Sequence, residues 1–152
     1  MKIALIAAFG LSLAAGLAPG FAPAPARAND APTVPEAVAR AEVMKTIGAQ
    51  VKVLGDMAGG RTDFDAGAAT QAQTALVEAA ASLGTVFETE GAADPASESA
   101  AVIWTDWEGF MAEADKLLAA AEGLDPASLD GVKAGMSAVG GTCRACHSVY
   151  RE

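Results

Sequence analysis

Only five residues follow the run Cys143-Arg144-Ala145-Cys146-His147 in this 152-residue chain. Cys-x-x-Cys-His is the attachment sequence of c-type haem. Two thiols three positions apart on a helical turn face the same way and can add across the two vinyl groups on one porphyrin edge. The next residue, His147, then lies under the iron and offers an imidazole nitrogen as proximal ligand. The motif constrains the whole fold, because everything else in the sequence then reads as a container for that group. Three other readings compete. A redox-active Cys-x-x-Cys pair stands beside a βαβ pattern, and no β-rich run exists here. A structural zinc site needs four ligands. Cys143 and Cys146 are the only cysteines and His147 the only histidine, so a carboxylate or a second chain would have to complete such a site. A disulfide between the two thiols stays open in an oxidising compartment. The expectation is one haem c, held covalently through Cys143 and Cys146 with His147 on the iron.

The other end of the chain points to export. Met1-Lys2 starts with a positive charge, Ile3 to Phe21 is almost unbroken apolar sequence, and Ala26-Arg27-Ala28 is a small-x-small cleavage site. That pattern predicts a secretory signal peptide over residues 1–28 and one haem-binding domain over 29–152. A retained membrane anchor is the alternative for so long an apolar run, although Gly10, Gly16, Pro19 and Gly20 interrupt it. Export would place the mature protein in the periplasm, where bacterial c-type haem is attached, with no membrane association after cleavage. The 124 residues that remain suffice for one core. Loss of Lys2 and Arg27, with no acid lost, takes the formal charge from −9 to −11. Such acidity excludes binding to nucleic-acid phosphates. It favours encounter with redox partner proteins that present a basic docking surface.

Between these ends the sequence is rich in alanine and poor in β-branched runs, which favours helix throughout. Four helical segments are predicted. Thr33-Val34-Pro35-Glu36 has a capping-box pattern with proline in the first turn. Val38, Ala41, Met44, Gly48, Val51 and Gly55 follow at helical spacing, and Gly59-Gly60 ends this helix. Asp63 or Asp65 caps a second helix, with Leu76, Ala80, Leu83 and Phe87 along one side. Asp94-Pro95 opens the third, with Ile103, Trp107, Phe110, Leu117 and Leu118 inward and Gly123 closing it. Asp125-Pro126 opens the fourth, which carries Leu129, Val132, Met136 and Val139 before the haem motif. Four helices with modest loops, the longest from about Glu88 to Ser99, imply an all-α fold. The expected architecture is an antiparallel up-down-up-down four-helix bundle with covalently bound haem.

With no second histidine, the soft candidates for the other axial position are Met44, Met57, Met111 and Met136. Met136 shares a helix with His147, about three turns before it, and cannot reach the opposite haem face. Met57 falls at the frayed end of the first helix, and Met111, beside Phe110, reads as core. Met44 lies mid-helix on the apolar side, and in such a bundle the first and fourth helices are neighbours. An ordinary core methionine is the alternative for Met44.

Taken together, these residues resemble the cytochrome c′ family of class II c-type cytochromes, with its low-spin, methionine-ligated relatives, over the whole mature region. Gly141 to His147 with Tyr150-Arg151 is similar to the family's terminal helix. Arg40-Ala41-Glu42-Val43-Met44-Lys45 resembles its first-helix pattern, an arginine followed four residues later by a distal-side residue. Ile103-Trp104 resembles a pair near the start of its third helix, and Phe64-Asp65 is similar to its first connection. The resemblance implies His147 as proximal ligand, Cys143 and Cys146 as thioether residues, and Arg40 beside the haem propionates, a charge-assisted contact. A solvated helix charge is the alternative for Arg40. Gly140 and Gly141 would let backbone approach the porphyrin, or simply loosen the chain before the motif.

Met44 separates two functions that the resemblance implies. Bound to iron, it makes a single-electron carrier. Unbound, it leaves a five-coordinate iron with a hindered open site for nitric oxide or another small gas ligand. Met44-Lys45-x-x-Gly48 resembles the ligated group more closely, and the first helix lacks the Tyr-Arg-Gln run common in cytochromes c′. The expectation is therefore a periplasmic electron carrier with Met44 as distal ligand, gas binding being the alternative. An enzyme is not expected, since no distal histidine exists to handle a proton. Family members often pair through their first two helices, so the resemblance allows a homodimer.

Overall fold

The computed structural model describes residues 31–152; the predicted leader, 1–28, lies outside them. Four helical arms are formed by α1 (Pro35–Ala58), α2 (Ala66–Ala81) with its short continuation α3 (Leu83–Phe87), α4 (Val102–Thr105) leading into α5 (Trp107–Glu122), and α6 (Leu129–Tyr150). α1 packs on α2 and α6, and α5 packs on the same two helices. That ring of neighbours is the antiparallel four-helix bundle that the spacing predicts.

Several helix ends differ from their predicted form. Gly59 caps α1 as expected, and Gly60 takes a φ of 68°, a left-handed turn that glycine reaches without penalty. Asp65 rather than Asp63 caps α2, accepting from the Ala68 N–H at 2.7 Å. The capping box at Thr33 does not form: Val34 is the N-cap residue, and no side chain at that position caps α1. Instead Asp94, from a distant loop, accepts the N–H groups of Thr33 at 2.7 Å and Val34 at 2.9 Å. This use explains why Asp94-Pro95 does not open a helix. Asp94 also accepts from the Ala96 N–H at 2.9 Å, a side-chain turn, and helix resumes only at Val102. Asp125 likewise closes a turn, accepting from the Ala127 N–H at 2.9 Å, while Ser128 caps α6 by accepting from Gly131 at 3.0 Å.

The N–H of Val34, then those of Thr33 and Ala96, hold the Asp94 carboxyl below its ordinary value of 3.8. A carboxyl depressed in the folded state contributes its stability in full above the unfolded pKa and loses it as pH falls through the lower folded one. Asp94→Ala should therefore lower the thermal midpoint at neutral pH, and the gap to the native protein should close as pH falls below about 3.8. A gap that stays constant with pH would rule out this tie between the loop and the start of α1.

The buried stripe of α1 is Ala37, Arg40, Ile47, Leu54 and Met57, beside the predicted one. The cause is a second surface to cover. Ala41, Met44, Gly48 and Val51 line a cavity, together with Ala37, Arg40 and Ile47 of the buried stripe, and Met44 and Val51 also pack against the core's edge. Met57, predicted to fray, is buried in the last turn. On the other arms Leu76, Ala80, Leu83, Phe87, Ile103, Phe110, Leu117, Val132 and Val139 are buried as predicted, while Trp107 and Leu118 pack at the core's edge.

Aromatic residues close one end of the bundle. Phe110 stands at their centre, with the rings of Phe87, Trp107 and Tyr150 at 5.0, 5.5 and 5.5 Å. The Tyr150 hydroxyl donates to Asp106 Oδ2 at 2.7 Å, and this bond pushes the phenol up to about 12. Gly109 lies beneath it, where a Cβ would strike both the Asp106 carboxylate and the Tyr150 hydroxyl. Overpacking of that kind costs about 1–3 kcal/mol, against the ~1 kcal/mol that alanine normally gains over glycine inside a helix. Gly109→Ala should thus be destabilising rather than stabilising in a denaturant titration; a gain in midpoint would show that the contact yields freely.

Past α6 the chain turns extended. Glu152 N–H donates to Glu98 O at 3.0 Å, Ala100 N–H donates to Tyr150 O at 3.1 Å, and Ser99 pairs with Arg151 in an antiparallel bridge. Among the described residues no helix is long and apolar enough to cross a membrane.

Candidate functional site

A cavity of about 550 Å³ opens between α1, α3, α4, α5 and α6, within the size range of sites for large organic ligands. From α6 it is lined by Thr142, Cys143, Cys146, His147 and Tyr150, and from α1 by Arg40, Met44, Lys45 and Ile47. Leu83, Phe87, Ile103, Phe110 and Leu117 supply most of the apolar wall. The three-residue step along α6 brings both thiols to the same cavity, each half-buried, and His147 follows directly.

Both cysteines are free. Burial pushes their thiols up, that of Cys146 to about 11 with a contribution from the Glu113 carboxylate. Partial burial and then Arg151 push the His147 imidazole below 6.5, so near neutral pH the ring is in the uncharged form that binds metals. The zinc alternative would require further donors beside these three. Among the described residues, no group of three or more His, Cys, Asp or Glu side chains is placed to hold a metal ion.

Arg40 is not a solvated charge. It is 4% exposed, and its Nη1 donates to the carbonyls of Thr89 and Glu90, both at 3.1 Å. Its guanidinium lies over Trp104 at 5.1 Å and Phe87 at 5.8 Å, a cation–π arrangement. Trp104 is held in turn by donating its Nε1–H to Phe87 O at 2.8 Å. Burial lowers the Arg40 pKa, yet arginine stays charged in proteins. Its Nε is buried without a hydrogen-bond partner among the described residues.

Four methionines lie among the described residues, and Met44 alone lines the cavity. Met57 is buried at the far end of α1, Met111 packs beside Gly84, and the Met136 methyl packs near Gly55. Gly140 and Gly141 lie within continuous helix and off the cavity wall.

The site fits a covalent haem. It offers two half-buried thiols, a neutral imidazole, a large apolar slot, and a buried guanidinium nitrogen with no acceptor among the described residues. Residues 36–151 match the family model described as Cytochrome C'. The chain belongs to the cytochrome c′ family. Relatives include the cytochrome c′ of Pararhodospirillum photometricum, 34% identical over 117 residues, which span 74% of this chain and 93% of that protein. A cytochrome c-556 of Agrobacterium tumefaciens (strain apple 185) is 34% identical over 116 residues, spanning 74% and 91%. The fold is shared with a nitric oxide complex of a variant cytochrome c prime from Alcaligenes xylosoxidans, at a TM-score of 0.69 and 20% identity over 77% of this chain and 93% of that one. Cytochromes c′ carry a covalently bound haem c, and this member of the family is a haem protein.

Two wall features of this cytochrome c′ chain escape a reading of the sequence. The exposed Arg151 pairs with Glu98 at 2.6 Å, a contact between distant segments that no local pattern announces. Glu113 also lines the cavity. Its signal was available: it stands three residues after Phe110 and four before Leu117, a carboxylate on an otherwise apolar stripe.

Proposed function

We propose that this cytochrome c′-family protein is an exported, periplasmic carrier of single electrons, with Cys143 and Cys146 as haem attachment residues, His147 as proximal ligand and Met44 as distal ligand. The observation that carries this reading is the position of Met44, which lines the same cavity as His147 while Met57, Met111 and Met136 do not line it. Imidazole with a thioether is a pairing that raises the potential of haem iron.

Haem supplies a one-electron couple that needs no proton acceptor and no substrate pocket. The chain's own residues do the positioning. Cys143 and Cys146 would hold one porphyrin edge to α6, and His147 would present a neutral nitrogen to the iron. Arg40, braced by two carbonyls and two aromatic faces, would offer its unpaired Nε to a propionate. Leu83, Phe87, Ile103 and Phe110 keep water from the buried face. The acidic exterior steers the molecule toward a redox partner with a basic surface.

A second reading, binding of nitric oxide or another small gas at an open distal position, is favoured by one specific observation. A neighbour in fold is described as a nitric oxide complex. The absorption spectrum of the ferric protein separates the two. Low-spin bands with a sulfur-to-iron charge-transfer band support the carrier. A high-spin spectrum that shifts readily with nitric oxide supports the gas-binding protein. Mass spectrometry of the exported polypeptide tests the attachment itself.

A further inference from the structure

We propose that Glu113 is a charge built into the haem cavity wall that lowers the reduction potential of the iron. Two buried side-chain polar atoms lack any partner among the described residues, Arg40 Nε and Glu113 Oε2, and both residues line the same cavity. A donor such as Arg40 Nε matches a propionate. A carboxylate oxygen does not, because the body of a porphyrin offers it no donor. Buried polar atoms without partners are few in native proteins, and each calls for an explanation.

The setting of Glu113 supplies one. Its Oε1 accepts from Lys116 Nζ at 2.6 Å, with the lysine side chain 61% exposed and that of the glutamate 20%. The carboxylate therefore straddles the wall, one oxygen on a solvent-screened cation and the other buried and unpaired. It faces the attachment side of the cavity, whose wall it shares with Cys143 and Cys146. One-electron reduction lowers the charge at the iron by one. A fixed negative charge in a poorly screened wall favours the more positive, ferric state and so lowers the potential. Glu98, the other carboxylate on this cavity, is exposed and bound to Arg151, and water screens it. The remaining charged groups on the wall, Arg40, Lys45 and Arg151, are cations and act in the opposite sense.

The inference rests on the haem occupying this cavity and not on ligation by Met44, which the absorption spectrum reports separately. The test is a potentiometric titration of the haem-loaded protein and three single variants, each first matched to the native spectrum. Glu113→Gln should shift the midpoint positive, and by more than Glu98→Gln. Lys116→Gln, which removes the screening cation, should shift it negative, and that shift should vanish when Glu113→Gln is added. A Glu113→Gln midpoint no further from native than that of Glu98→Gln would overturn the proposal. So would a Lys116→Gln shift that persists without the carboxylate. Should Glu113→Gln fail to load haem, Glu113→Ala replaces it in both comparisons, and a midpoint no further from native than that of Glu98→Gln overturns the proposal in the same way.

Discussion

Met44→Ala should convert the ferric protein from low-spin to high-spin and remove the sulfur-to-iron charge-transfer band, while Met111→Ala leaves both unchanged. The reason is geometric. Met44 lines the cavity with His147, whereas Met111 packs beside Gly84. Removing the thioether also uncovers the distal position. Each 1.4 kcal/mol of sulfur–iron bonding that a competing ligand no longer has to displace is a tenfold gain in its affinity. Nitric oxide should therefore bind the variant at least about tenfold more tightly than the native protein. The packing loss is secondary: a fully buried Met→Ala change costs about 2–5 kcal/mol, and Met44 is only half-buried. A native spectrum that is already high-spin, unchanged by Met44→Ala, would transfer the function to the gas-binding reading.

The Cys143→Ala, Cys146→Ala double variant should lose covalent haem and, with it, fixed side-chain packing. α2 buries mostly alanine, Ala69, Ala72, Ala79 and Ala80 beside Leu76, and small side chains bury little apolar area. Several of the largest core residues, Leu83, Phe87, Ile103 and Phe110, also turn a side to the cavity. Leaving even a quarter of its roughly 550 Å³ unfilled costs about 3 kcal/mol at ~24 cal/mol per Å³. That is a large share of the 5–15 kcal/mol typical of a whole domain. Near-ultraviolet circular dichroism should collapse while the far-ultraviolet helical signal largely persists, with a hydrophobic dye binding the exposed wall. Sharp native-like near-ultraviolet bands in the double variant would show that the protein alone completes the core.

The bundle was legible in the sequence because its cause is local. Alanine content, helical spacing and the Gly59 and Gly123 stops are written within each segment, and the haem motif carries its meaning in five residues. What stayed hidden depends on distant partners. Asp94 reads as a helix opener until Thr33 and Val34 claim its carboxylate. Ser82 gives no sign that the second arm breaks there into α2 and α3. The α1 stripe lies beside the predicted one because the helix faces both the core and a cavity, which widens its inward face, and periodicity reports a single direction. Arg40 could be placed on the correct helix, but its burial depends on Trp104 and the carbonyls of residues 89 and 90, far along the chain.

The irregular segment 88–101 is fastened three times over. Arg40 grips its first carbonyls, its Asp94 holds the start of α1, and residues 98–100 pair with the chain's last turn and tail. Absence of helix there does not mean looseness. Amide protons at Ala96 and Ala100, each engaged as a donor, should exchange with deuterium far more slowly than those of an ordinary surface loop. The segment then acts as a stiff side panel of the cofactor housing, whose opening requires the two terminal helices to give way along with it.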